Sequence, residues 1–140
     1  MITPNSSVLI IDDFASVRVF IKNCLTSLNL TLTKEAENGV EALALLETAQ
    51  KSGQQFDLIF CDWNMPKMSG IQFLRAMKEK VEYANIPVIM VTVQKDTSHV
   101  MAALCEGATD YIIKPFTQEV FLRKMISVNQ KLSKQGRKSG

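Results

Sequence analysis

Apolar residues gather in four short, nearly unbroken runs: Ser7 to Ile11, Leu58 to Cys61, Pro87 to Val91, and Tyr111 to Ile113. Runs rich in β-branched residues and lacking alternation predict strands covered on both faces. A fifth run, Leu30 to Thr33, alternates Leu with Thr and leads into Lys34, Glu35 and Glu37, which predicts an edge strand with one wetter side. Between the runs the apolar spacing lengthens to the helical period. Val17, Ile21, Cys24 and Leu28 form one stripe, Ala42, Leu46 and Ala49 part of a second, and Ile71, Leu74, Met77 and Val81 a third. Asn38 with Glu41, and Ser69 with Gln72, have capping-box spacing. A fourth helix is predicted over roughly Ser98 to Glu106, stopping at Gly107, a natural left-handed position. Thr117 before Gln118-Glu119 opens a last helix reaching about Gln130, with Phe121, Met125 and Val128 facing inward.

Strand and helix therefore alternate five times, which predicts an α/β fold: a doubly wound, five-stranded parallel sheet with five helices. In such sheets ligands bind beyond the carboxyl ends of the strands. Asp12-Asp13, Asp62, Thr92 and Lys114 each fall just after a predicted strand, so four segments deliver polar groups to one rim. A carboxylate at the end of a buried run is costly. If the first and third runs are neighbours, three carboxylates converge, and only a bound cation or proton uptake relieves their repulsion. Hard oxygen ligands suit Mg²⁺. A carboxylate beside Mg²⁺ can attack a phosphoryl group, so Asp62 is expected to become an aspartyl phosphate.

Composition narrows the classes. At 140 residues and 46% hydrophobic content the chain fits one domain with a full core. The predicted partition is a domain over residues 1–130 and a basic tail over 131–140. The first residues carry no positive charge, and the apolar stretch after them falls far short of the roughly 20 residues of a membrane span, so a soluble cytoplasmic protein with no membrane partner is expected. The three cysteines, Cys24, Cys61 and Cys105, are widely spaced within apolar patterns and read as buried reduced thiols. His99 is the only histidine, which argues against zinc sites and Ser-His or Cys-His pairs and leaves a solvated helix position as its reading. The net charge of +2 is misleading: Lys131, Lys134, Arg137 and Lys138 lie in an acid-free end, leaving the body at −2. That distribution argues against nucleic acid and reads the end as a frayed helix terminus, a linker stub or a contact for an acidic partner.

Several motifs stand together in order: Asp12-Asp13-Phe14 with Arg18, Asp62-Trp63-Asn64-Met65-Pro66 with Ser69-Gly70, Val91-Thr92, and Gly107-Ala108 through Tyr111 to Lys114-Pro115-Phe116. On these the chain, from about Ser7 to Val128, resembles a receiver domain of the two-component response regulators, closest to the single-domain chemotaxis members of that family. The resemblance implies a flavodoxin-like strand order 2-1-3-4-5. It implies that Asp62 is the phosphoacceptor, that Asp13, Asp62 and the Asn64 carbonyl hold Mg²⁺, and that Asp12 acts mainly through a metal-bound water. Lys114 would pair with Asp62 before reaction and with a phosphoryl oxygen after it, and the bond to Pro115 is often cis in the family. The Thr92 hydroxyl would bond the added phosphoryl group. Tyr111 would turn inward and repack the face made by the fourth helix, fifth strand and fifth helix. The expected partners are a histidine kinase or phosphotransfer protein as donor and a downstream target, a flagellar motor switch being one. A monomer is expected, with slow self-dephosphorylation past Asn64 and Gln94 rather than enzymatic turnover. Val93 stands where the family usually has a smaller residue, which points to slower access, hydrolysis or switching. Lys51 to Gln55 lengthens a surface connection.

Other readings stay open beside this one. A haloacid dehalogenase-type phosphatase also uses a strand-end aspartate with Mg²⁺, but needs a second Asp where Asn64 stands. A phosphorylation-independent pseudo-receiver would lose the acid pair, threonine or lysine, all of which are present. A flavodoxin-like nucleotide carrier would need glycines after the first strand, where Asp12-Asp13 would repel phosphate. The alternative reading is a receiver cut from a larger response regulator, or a phosphorelay member with a lost or separate output domain.

Overall fold

The computed structural model describes residues 2–93 and 97–139, with side chains described at 2–93 and 100–134. Five strands, β1 (Ser7–Ile11), β2 (Leu32–Ala36), β3 (Leu58–Asp62), β4 (Val88–Thr92) and β5 (Asp110–Ile113), alternate with α1 (Ala15–Thr26), α2 (Gly39–Ser52), α3 (Gly70–Lys78), α4 (Thr97–Cys105) and α5 (Gln118–Ser139). All pairings are parallel and the order is β2-β1-β3-β4-β5, as expected. β3 and β4 are buried at every residue, which is why their sequences do not alternate. Alternate residues of one strand feed different layers. Leu9, Ile11, Ile59 and Met90 pack with Leu46, Phe73 and Leu74 of α2 and α3. Val8, Ile10, Phe60 and Ile89 pack with Ile21, Leu25, Phe121 and Met125 of α1 and α5. On that second side Phe60 stacks on Phe121 with centroids 5.3 Å apart.

Four expectations are corrected. β2 starts at Leu32 rather than Leu30, because Leu30 is spent on ending α1: its N–H donates to the Leu25 carbonyl at 2.9 Å, over a turn in which Asn29 takes φ +63°. Buried Leu30 plugs the α1 side, while Leu32 lies exposed on what is indeed an edge strand. The third apolar stripe ends at Met77. Val81 is 89% exposed, since α3 stops at Lys78, whose ammonium reaches back to the carbonyls of Ala84 and Ile86 and folds the chain over. Tyr83 and Ile86 take the buried places instead. Leu28 lies past the end of α1, and Leu25 completes that helix's buried stripe. Cys105, the last residue of α4, is exposed, whereas Cys24 and Cys61 are buried, all three as free thiols.

Of the two expected capping boxes, the one at Ser69 is reciprocal and the one at Asn38 shows its N-cap half. The Asn38 side chain accepts from the Glu41 N–H, and Ser69 with Gln72 forms a reciprocal capping box. Gly107 takes φ +104° after α4. α5 runs well beyond Gln130, and Lys131 on that stretch donates to Asp110 at 2.7 Å while Lys124 donates to the same carboxylate at 3.1 Å. Burial alone would raise the Asp110 pKa, but bonds from Lys131, the Tyr111 N–H and Lys124 outweigh it and hold the carboxyl below its usual range. The side chains of His99, Arg137 and Lys138 lie outside the described ones.

Candidate functional site

The parallel order places β1 between β2 and β3, so the carboxyl ends of β1 and β3 are neighbours, as the site required. The Asp12 N–H extends the ladder to the Ala36 carbonyl at 3.0 Å. One Asp12 carboxylate oxygen accepts from the Phe14 N–H at 2.9 Å, turning the chain toward α1, and the other accepts from Lys114 Nζ at 2.7 Å. Asp12 is 1% exposed and fully engaged. Asp13 is not: its Oδ1 is buried and accepts no hydrogen bond from a described residue. Asp62, the last residue of β3, lies 6% exposed opposite Val91. Its Oδ1 is 3.3 Å from Lys114 Nζ. Lys114 was expected to pair with Asp62, and it does, but it stands nearer to Asp12. Its own N–H donates to the Thr92 carbonyl at 2.7 Å, which pins the end of β5 to that of β4. The Lys114–Pro115 peptide is cis.

Oxygens of Asp12, Asp13 and Asp62 come within 4.8 Å of one another. Among the described residues, Lys114 is the cation paired with this cluster, on Asp12 and Asp62. Burial, and then the charge of Asp12, push the Asp62 pKa up to about 6 from 3.8, against the lowering effects of Lys114 and of the Trp63 N–H. Burial, with the charges of Asp62 and Asp12, also raises the Cys61 thiol well above its ordinary range, so that cysteine is an inert wall of the site. An orphaned buried oxygen beside two further carboxylates is what a hard divalent cation would satisfy, and the donor set fits Mg²⁺.

Thr92 is buried at the end of β4, Val93 is exposed beside it, Trp63 is half-buried and Asn64 exposed on the loop after β3. Tyr111 is half-buried on β5, with Lys124 Nζ 4.7 Å from its ring centroid. Gln94 lies outside the described residues. The sequence reading missed three structural supports: the Asp110 cluster behind Tyr111, the contacts of Arg18, and the reason for Gly70. A Cβ on Gly70 would come within 2.1 Å of the Asp62 carbonyl oxygen and 2.8 Å of Met90 Cε. The Gly70 N–H donates to the Trp63 carbonyl at 2.8 Å, so the first turn of α3 lies directly on the backbone that carries the acid. Alanine there would ordinarily favour a helix by about 1 kcal/mol, yet we expect Gly70→Ala to lose about 2 kcal/mol through the forced backbone shift. Urea unfolding checks the sign, and a gain in stability would contradict the contact.

Comparison with known proteins follows the same lines. The family model for the response regulator receiver domain matches residues 8–126. The chemotaxis protein CheY of Pseudomonas aeruginosa is 36% identical over 126 residues, covering 90% of this chain and 98% of the relative. Among solved structures, the chemotaxis response regulator CheY4 of Vibrio cholerae superposes with a TM-score of 0.77 at 32% identity, covering 88% of this chain and 98% of that one. A CheY from Borrelia burgdorferi, solved in complex with CheX, BeF₃ and Mg²⁺, gives a TM-score of 0.80 at 28% identity over 88% of each chain.

Proposed function

Because the chain belongs to the response regulator receiver domain family, a family of signalling proteins of two-component systems, we propose that Asp62 is its phosphoacceptor and that residues 1–130 form the working unit. The observation that carries the assignment is the convergence of Asp12, Asp13, Asp62 and Lys114 at one end of the sheet. Asp13, Asp62 and the Asn64 carbonyl would hold Mg²⁺, with Asp12 acting through a bound water. Bound there, the ion would neutralise charge on the phosphoryl oxygens.

The residues of the chain do the rest by position. An Asp62 oxygen attacks phosphorus as the P–N bond of a donor phosphohistidine breaks and the imidazole keeps the bond's electrons. Lys114, already on Asp62, takes up the new phosphoryl oxygen as its partner. The Thr92 hydroxyl bonds a second one. Neither Asn64 nor Gln94 is a general base, so hydrolysis of the mixed anhydride is slow, and exposed Val93 narrows the approach further. The donor is a histidine kinase or phosphotransfer protein. Beside Lys114, an apolar hollow of about 280 Å³ lined by Val17, Phe20, Pro115 and Phe116 gives such a donor a place to pack.

Output runs through Tyr111 and the α4-β5-α5 face, whose target in a chemotaxis role is a flagellar motor switch; the chemotaxis names of the relatives support that role. Among the described residues no helix is long and apolar enough to cross a membrane. The direct test uses Trp63, the only tryptophan, next to Asp62. Mg²⁺ should change its fluorescence, acetyl phosphate should change it again, and mass spectrometry should find a phosphoryl increment on the peptide holding Asp62. A folded protein that takes no label with Mg²⁺ and acetyl phosphate would refute the assignment.

A further inference from the structure

Arg18 has no part in the acceptor chemistry described above, yet its guanidinium ties the first helix to two other segments. α1 starts without a side-chain cap on Phe14 and without an acid in its first turn, so the usual devices for fixing a helix start are missing. Arg18 supplies another. Its Nη1 donates to the Asp12 carbonyl at 2.6 Å and its Nε donates to Glu35 Oε1 at 2.9 Å. The Arg18 side chain is 12% exposed and that of Glu35 is 36% exposed. Glu35 is on β2, directly opposite Ile10 of β1.

The carbonyl that Arg18 holds belongs to the peptide joining Asp12 to Asp13. A rotation of that peptide plane would carry the Asp13 backbone with it, and so the buried Oδ1 that no described group satisfies. The planar guanidinium braces that peptide against the edge strand through two directed bonds, a task that a flexible ammonium cannot perform at both ends. As an ion pair whose glutamate is open to solvent, Arg18 with Glu35 adds little stability by itself. The bond to the backbone of the acid pair is where the arrangement acts.

We propose that Arg18 is a positioning residue for the cation site: by clamping the Asp12–Asp13 peptide and leaning on Glu35, it sets the affinity of the acid cluster for a divalent cation. This rests on the receiver reading, in which that cluster binds Mg²⁺. Groups that orient metal ligands without touching the metal commonly govern affinity by about 10-fold to 100-fold.

The test is a Mg²⁺ titration of Trp63 fluorescence at constant ionic strength, alongside thermal midpoints in EDTA. Arg18→Met keeps the buried stem and removes every donor, and is expected to weaken Mg²⁺ binding about tenfold or more. Arg18→Lys should weaken binding by an intermediate amount, at least about threefold. A clamp that is merely structural would lower the thermal midpoint and leave the dissociation constant alone, so a change of less than threefold in folded Arg18→Met overturns the proposal. Should Arg18→Met not fold, Arg18→Lys decides by the same threefold threshold. A wild-type protein that gives no Mg²⁺ response would instead bring down the receiver reading itself, which keeps the two failures apart.

Discussion

Asp62→Asn is expected to take up no phosphoryl label and, in the absence of divalent cation, to be more stable than the wild type at neutral pH. The first outcome follows from removing the nucleophilic carboxylate. The second follows from linkage. The Asp62 pKa is about 6 in the fold against 3.8 for an unperturbed aspartate, so between those values the native state binds more protons than the unfolded chain. Stability then falls as pH rises through that window, and above it the full cost of the ionised, buried carboxylate remains. A shift of this size corresponds to about 2–3 kcal/mol. Asparagine, which cannot ionise, escapes it. Urea unfolding in EDTA should show variant and wild type converging near pH 3.5 to 4 and separating up to about pH 6, with the variant ahead. Mg²⁺ should then stabilise the wild type more than the variant. A variant less stable than wild type at pH 7.5 would show that the carboxylate is not under strain in the metal-free fold.

Lys114→Ala should cost the metal-free protein about 3 kcal/mol at neutral pH, because it leaves a carboxylate buried without its counter-charge. Asp12 is 1% exposed and holds Lys114 at 2.7 Å, and Asp62 shares the same ammonium. With the lysine gone, Asp62 loses an influence that lowers its pKa and is protonated at still higher pH, so the penalty shrinks on acidification. Mg²⁺ should restore part of the loss, since the divalent ion replaces the missing positive charge. Metal binding and labelling of Asp62 should persist in this variant, while the response at Tyr111 is uncoupled. Denaturation with and without Mg²⁺ measures the first effect, and target affinity before and after phosphorylation measures the second. Equal stability of variant and wild type in EDTA, or a target affinity that still responds to phosphorylation, would count against the role given to Lys114.

The places where expectation and structure part are instructive. Leu and Thr alternate from Leu30 to Thr33 as in a strand, but the chain needed Leu30 to close α1, and no local pattern reveals where a helix finds its last hydrogen bond. Val81 continues the α3 stripe on a helical wheel, yet Lys78 turns back to the Ala84 and Ile86 carbonyls and removes it from the core. Lys131 belongs by composition to a basic tail, but a helical extension brings it within 2.7 Å of Asp110.

What the sequence determined by itself was the alternation of strand and helix, the carboxylates, threonine and lysine at strand ends, and through these the family. Those features are local: burial on two faces writes itself into unbroken apolar runs, and a rim residue is the next one along the chain. Tertiary structure alone decided that Lys114 sits closer to Asp12 than to Asp62, that Gly70 must pass under the Asp62 carbonyl, and that Arg18 grips the peptide between the two acids. Each depends on backbone atoms, or on small differences in distance between segments remote in the chain, and side-chain identity encodes neither.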